Sequence, residues 1–242
     1  MRKEKDSLGE KDIEDVYYGI HTARALENFN IKNKRVNEEL IKAIALIKIA
    51  AAEANKKAGK LDENIANAIK EAANDLIVGN YIDAFMLPSI QGGAGTSTNM
   101  CVNEVIANIA LEKMGQSKGD YHIINPLDHV NHSQSTNDVY PTAVKIASIK
   151  LLRELLDETM ALQQELQNKE KEFSNVLKIG RTQFQDAVPL TLGQEFGAYA
   201  EAISRDRWRI YKIEERIRRI NIGGTAVGTG VGASGKYRYY VT

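Results

Sequence analysis

PTAVKIASIKLLRELLDETMALQQELQNKEKEF, residues 141–173, is the stretch that decides the architecture. Along it Val144, Leu151, Leu155, Leu162, Leu166 and Phe173 recur at alternating spacings of seven and four, the seam of a helix lying nearly parallel to its neighbours. Pro141, whose fixed backbone angle suits a first helical position, marks the predicted start. Ile146, Ile149, Leu152, Leu156 and Met160 widen the apolar face well beyond one seam. A second helix of this kind is predicted from about Gly193 to Ile220, through Phe196, Ile203, Ile210 and Ile217, with Tyr199, Ile213 and Ile220 beside them. Two such helices cannot cover each other fully. The expected fold is all-α, and the uncovered surface is expected to meet other subunits or further polypeptide. The closing GGTAVGTGVGASGKYRYYVT offers no third long helix.

Shorter helices are predicted upstream. Leu40, Ile44, Ile47, Ala51 and Ala54 follow one helical face that Gly59 is placed to stop. Asp62 caps a second, bearing Ile65, Ile69, Ala72 and Leu76, which Gly79 and Asn80 end. A third runs from about Ser97 to Met114. No sustained period-two pattern is present, apart from short pieces near Val176–Ile179. The turn before Pro141 is the best boundary, giving an N-terminal helical domain over 1–140 and the first long helices of a central bundle over 141–242.

Composition excludes several partners. Lys plus Arg and Asp plus Glu both number 32, so no net field draws the chain to nucleic acid or an anionic membrane. The run RDRWRIYKIEERIRR, residues 205–219, is interleaved with acids and apolar residues at helical spacing, and reads as a solvated or subunit-facing helix. The charged start lacks the apolar run of a secretory signal, and AIALIKIAAA is short and broken by Lys48. With Cys101 the single cysteine, a soluble cytoplasmic protein is expected.

Three polar stretches carry the chemistry. In GGAGTSTNMCVNE, residues 92–104, Gly92, Gly93 and Gly95 let backbone approach a ligand, and Thr96, Ser97, Thr98 and Asn99 offer donors at the positive end of a helix. There is no GxxxxGK[ST] and no lysine in this loop, so nucleotide phosphate is not expected. A glycine turn with ordinary capping explains the same residues. In HVNHSQSTNDVYP, residues 129–141, Gln134, Ser135, Thr136, Asn137 and Asp138 are five consecutive polar residues where a cap needs one. GRTQFQDAVPLTLGQE, residues 180–195, sets Arg181, Thr182, Gln183, Gln185 and Asp186 in a predicted loop between the long helices. Alone it is a connector; three polar loops at helix ends point to one shared site for a small anion such as a carboxylate. His129 and His132 are spaced three apart without an evident third ligand, so no metal is assigned.

These three motifs, in this order and spacing, resemble the aspartase/fumarase superfamily, and the opening EKDSLGEKDIEDVYYGIHTARALENF is similar to its start. The likeness covers essentially the whole chain. Gln183 after the GRT, and QSTND where fumarases carry QSSND, tilt it toward the aspartate ammonia-lyase branch. The resemblance implies reversible, cofactor-free elimination of ammonia from L-aspartate to give fumarate through a dianionic aci-carboxylate. Class II fumarate hydratase is the alternative activity, and a non-catalytic assembly protein of the same fold the alternative of another class. Thr96, Ser135 and Thr136 match family positions that grip the carboxylate taking up charge; Asn137, Thr182 and Gln183 match those nearer the amino group and second carboxylate. Asp138, Arg181 and Asp186 are expected to hold the loops. The resemblance also implies a homotetramer whose active sites draw loops from three chains. Cys101 stands where the family usually has Asn. The family's mobile GSSxMPxKxNP segment, carrying the catalytic serine base with a lysine and an asparagine that bind substrate, is absent from the sequence, so no catalytic residue is assigned and the chain is expected to be an incomplete enzyme.

Overall fold

The computed structural model describes residues 1–31, 34–91 and 93–242, and the chain forms two compact units, Met1–Ala147 with Ile220–Thr242, and Ser148–Arg219. The fold is helical, as the periodicity predicts. The first unit opens with an antiparallel hairpin of β1 (Arg2–Asp6) and β2 (Gly9–Ile13), followed by α1 (Ile20–Asn28), α2 (Glu38–Lys57), α3 (Glu63–Ile77) and α4 (Thr96–Lys113). It also takes the start of α5 (Thr136–Glu172) and, near the end of the sequence, α7 (Gly235–Val241), which packs on α2.

Local signals set most boundaries. Asn37 accepts the Glu39 N–H at the start of α2, and Gly59, at φ +69°, follows its end. Asp62 accepts the Asn64 N–H at the start of α3, satisfying one of the donors that every helix N-terminus leaves open. On α2 the buried face includes Ile41, Ile44, Ile47, Ala51 and Ala54, but also Lys48 and Asn55.

The centre of this unit is α4, buried without interruption from Thr98 to Leu111. With no wet face, its polar side chains must bond inward. Asn108 donates to Tyr17 O (2.8 Å) and Tyr121 OH (3.1 Å) and accepts from Gly119 N (2.8 Å). Glu104 receives Gly19 N (2.9 Å), His21 N (2.8 Å) and the Thr22 hydroxyl (2.6 Å), and so caps α1. Burial pushes its carboxyl up, against the pull of the Thr22 hydroxyl and the Gly19 and His21 N–H groups. Gly19 has no alternative here: a Cβ would lie 2.7–2.8 Å from oxygens of Glu4, Tyr121 and Glu104. Cys101 is buried on the same helix, and burial pushes its thiol up to about 12, so it stays a protonated core residue.

The second unit contains α5 from Ser148 onward, a hairpin of β3 (Leu177–Thr182) and β4 (Gln185–Thr191), and α6 (Leu192–Ile217). Thr191 and Gln194 form a reciprocal capping box at the start of α6. At Gly193 a Cβ would stand 2.5 Å from Glu170 O, so α6 and the end of α5 meet backbone to backbone. Farther along, Arg153 makes a fork to Glu214 (3.1 and 2.8 Å). Leu151, Leu155, Met160, Leu162, Trp208 and Tyr211 remain substantially exposed.

Three expectations need correction. The 180–195 segment is not an open loop: it holds most of the β3–β4 hairpin and the first residues of α6, and the hairpin turns at Gln183 and Phe184, both in the left-handed region at φ 49° and 61°, as a two-residue hairpin turn demands. The β1–β2 hairpin escapes a search for apolar alternation because its strands read RKEKD and GEKDI, with only Glu4 and Ile13 buried. Finally, α5 begins at Thr136 and not at Pro141. Ser135 Oγ accepts Asn137 N (3.2 Å) and Asp138 Oδ1 accepts Ser135 N (2.9 Å), a cap that starts the helix earlier and leaves Pro141 inside it. The Pro ring removes one intrahelical bond near that end, where few are yet formed.

Because only donors point at Glu104, Glu104→Gln puts an amide N–H among them. It should destabilise the first unit by about 1–3 kcal/mol, read as a lower denaturation midpoint; an unchanged midpoint would show that the cap carries no weight.

Candidate functional site

The first two polar stretches meet inside the first unit. Gly95, the residue before α4, has φ +83° and lies so close to the Tyr140 ring that a Cβ would be 2.2 Å from it. Side-chain chemistry joins them as well. Asn99 Nδ2 donates to Thr136 Oγ1 (3.1 Å) and to Asn131 Oδ1 (3.2 Å). In place of a capping residue at Gly95, Gln91 reaches back to accept Thr98 N (3.0 Å) and the Thr98 hydroxyl (3.1 Å). Thr98 and Asn99 are therefore internal fasteners of the loop, while Thr96 is exposed and Ser97 half-buried. Gly92 lies outside the described residues.

Around the start of α5 the expected residues take distinct places. Ser135 and Thr136 are half-buried, Asn137 is exposed, and Asp138 is buried. The Asn137 amide donates to Ala226 O (2.8 Å). Asp138 Oδ2 accepts Gly223 N (3.1 Å) and Thr225 N (2.8 Å), so one carboxylate fastens the 223–225 segment to the N-terminus of α5. Thr182 and Gln183 belong to the second unit, at the end of β3 and in the turn after it, and both are exposed. Arg181 and Asp186 are paired across that hairpin.

The sequence reading missed Lys48 as part of this region. It is fully buried on α2, donating to Asn131 Oδ1 (2.8 Å) and Gln134 Oε1 (2.9 Å). Seven residues on, Asn55 donates to His132 O (2.9 Å) and accepts the Ser133 hydroxyl (2.9 Å). Two turns of α2 thus hold the loop from Asn131 to Gln134. The available signal was a Lys and an Asn at i and i+7 on a face otherwise made of Ile and Ala. Burial pushes the Lys48 ammonium down to about 7, partly offset by the charge of Asp138.

His129 lies in a single π-type turn, Pro126–Val130, where its Nδ1 accepts Asn125 N (2.8 Å). That bond leaves Nε2 as the protonated nitrogen of the neutral ring. Burial lowers its pKa, with His132 adding to the shift and Asp128 opposing it. Among the described residues no cluster of three His, Cys, Asp or Glu could hold a metal, and no helix is long and apolar enough to cross a membrane. Chemically, the region offers hydroxyls and amides at the positive end of a long helix, an arrangement suited to an anion of modest size.

Lys48 also gives a pH signature. Its proton is held less tightly in the fold, at about 7, than at the ordinary lysine value of 10.5. Between those values the unfolded chain carries the extra proton, so this contribution to stability rises with pH through the window. Lys48→Met keeps an unbranched stem and removes the titration. The Tm of wild type relative to this variant should therefore climb from pH 7 to 10; a constant difference would place the lysine pKa near its ordinary value.

A family model described as lyase matches residues 10–242. A Bacillus sp protein named aspartate ammonia-lyase is 52% identical over 243 residues, covering 100% of this chain and 52% of that one. Among solved structures, fumarate lyase:delta crystallin from Brucella melitensis bound to cobalt superposes with a TM-score of 0.95 at 48% identity, covering 99% of this chain and 53% of the other. Recombinant class II fumarase from Schistosoma mansoni gives 0.93 at 36% identity, covering 99% and 51%. The chain spans about half the length of the curated relatives it matches. With the motifs, the helical fold and a match over nearly every residue in agreement, the chain belongs to the lyase family.

Proposed function

We propose that this chain is the part of an aspartate ammonia-lyase that binds substrate through Thr96, Ser135, Thr136, Asn137, Thr182 and Gln183. The observation that carries the reading is 52% identity, across the whole chain, to a protein of that name. The geometry agrees with it: Ser135 and Thr136 stand half-buried at the N-terminus of a 37-residue helix, where hydroxyls and the helix dipole together favour a carboxylate.

In the proposed reaction a base takes a proton from the carbon beside the side-chain carboxylate. Electron density moves onto that carboxylate, giving the aci form, and collapse of the dianion expels ammonia and leaves fumarate. The hydroxyls of Thr96, Ser135 and Thr136 donate to the oxygens where charge accumulates. Donors fixed before the reaction stabilise this charge without reorganising. Asn137, Thr182 and Gln183 orient the amino group and the other carboxylate. The base is the serine of a GSSxMPxKxNP segment, which these 242 residues do not include.

Turnover is expected from a polypeptide extended to the length of the relatives, and not from the 242 residues alone. The extended protein should release ammonia from L-aspartate and should not interconvert malate and fumarate at a comparable rate, both followed by absorbance of the fumarate double bond. Preferential turnover of malate would make it a fumarase, the reading favoured by the likeness to the Schistosoma enzyme. No turnover of either would make it a non-catalytic relative.

Subsites assembled from several copies are part of the same proposal. Leu151, Leu155, Leu162 and Trp208 are substantially exposed on long helices, more apolar surface than a monomer ordinarily leaves wet. Light scattering at micromolar concentration should report a homo-oligomer, with a tetramer expected; a stable monomer would refute the assembly.

A further inference from the structure

The buried polar chain beneath Thr136 has a direction. In its charged form Lys48 only donates, so the Asn131 atom that it touches is then the oxygen. Asn131 Nδ2 is turned the other way, donating to Gln134 O (3.3 Å). Since Asn131 presents an acceptor to Asn99, Asn99 must answer with its NH2, and the same NH2 supplies Thr136 Oγ1 (3.1 Å). Gln134 is fixed by the same rule: its oxygen takes Lys48 and its nitrogen donates to Val130 O (3.0 Å) and His132 O (3.1 Å).

Asn99 Oδ1 shows how firmly the direction is imposed. It is buried with no hydrogen-bond partner among the described residues. Turning the amide over would hand that oxygen the proton of the Thr136 hydroxyl, but would also press it against Asn131 Oδ1, which Lys48 holds in place. The amide stays as it is. Thr136 Oγ1 is thereby committed to accept on its inner side, and its single proton has no acceptor among the described residues.

We propose that Lys48, through Asn131 and Asn99, is a positioning residue that orients the Thr136 hydroxyl to donate outward to a carboxylate. The proposal rests on the reading of Thr136 as a carboxylate-binding residue. Without the lysine, Asn131 and Asn99 can reverse, the Thr136 proton turns inward, and a carboxylate meets lone pairs. An enzyme that stabilises a dianion with hydroxyls and amides needs such a rule, because a hydroxyl serves equally well as donor or acceptor.

The test is a double-mutant cycle in the protein extended to its relatives' length, run below pH 7 where Lys48 carries its proton, with kcat and KM for L-aspartate and, independently of turnover, fumarate binding by calorimetry. Thr136→Val should lower kcat/KM roughly tenfold to a thousandfold, and Lys48→Met roughly tenfold to a hundredfold, with most of each loss in kcat because the dianion forms only during the reaction. In the Thr136→Val background Lys48→Met should add no more than about a threefold loss. A merely structural lysine would instead give multiplicative losses, and that result overturns the proposal. Should Lys48→Met fail to fold, Asn131→Leu breaks the chain one bond later and must show the same dependence on Thr136. If Thr136→Val alone changes neither turnover nor fumarate binding, the reading of Thr136 is at fault and the proposal falls with it; additivity beside an impaired Thr136→Val condemns the proposal alone.

Discussion

A helix with water on no side must find every one of its hydrogen bonds inside the protein, and α4 is such a helix. It still carries Thr98, Asn99, Asn103, Glu104 and Asn108, all buried. All but Asn103, whose amide bonds Met100 of the same helix, serve as sockets into which surrounding segments are plugged. Glu104 holds the start of α1, Asn108 holds Gly119, Thr98 is tied to Gln91, and Asn99 reaches Asn131 and Thr136. An unpaired buried polar atom is unfavourable by about 1–3 kcal/mol, so moving any one of these loops strands a partner on α4. That rigidity bears on two of the candidate hydroxyls, since Thr96 lies on α4 itself and Thr136 accepts from Asn99 of α4.

α2 adds a second, more exacting condition. A fully buried ammonium such as Lys48 is a poor source of stability, because withdrawing the charge from water offsets what its hydrogen bonds return. Its value here is in specificity. A methionine at this position has no N–H to give and could not tell one end of an amide from the other. Asn55, which grips both the carbonyl of His132 and the hydroxyl of Ser133, fixes the same loop where Ser133 adopts φ 61°.

How much of this was legible in the sequence depended on whether a residue's role was local. Asp62 and Gly59 act within a turn of their own positions, and the helices they bound were read nearly to the residue. Ser135 and Asp138 are also local, but Pro141 offers a competing start, because Pro is favoured at a first helical position. Of the hairpins, alternation near Val176–Ile179 marked part of β3, whereas β1 and β2 are charged and mostly exposed, so apolar alternation carried no information about them. The motifs naming Thr96, Ser135 and Thr136 were legible as clusters of donors, although the internal use of Asn99 and Thr98 was not. Lys48 was read only as an interruption of an apolar run. Its partners lie more than eighty residues away, and nothing in its neighbourhood along the chain announces them.

The discontinuity of the first unit has a consequence for how the protein is made. Tyr237, fully buried, and the rest of α7 cover α2, and Asp138 waits for the amides of Gly223 and Thr225. On a ribosome, all of Ser148–Arg219 must be synthesised before those groups emerge, an interval of roughly 4–15 s at about 5–20 residues per second. During that interval the face of α2 that α7 will occupy is exposed to the cell and the Asp138 carboxylate lacks its final partners. The length of that window is set by translation speed, so the closure of the first unit waits on the synthesis of the second.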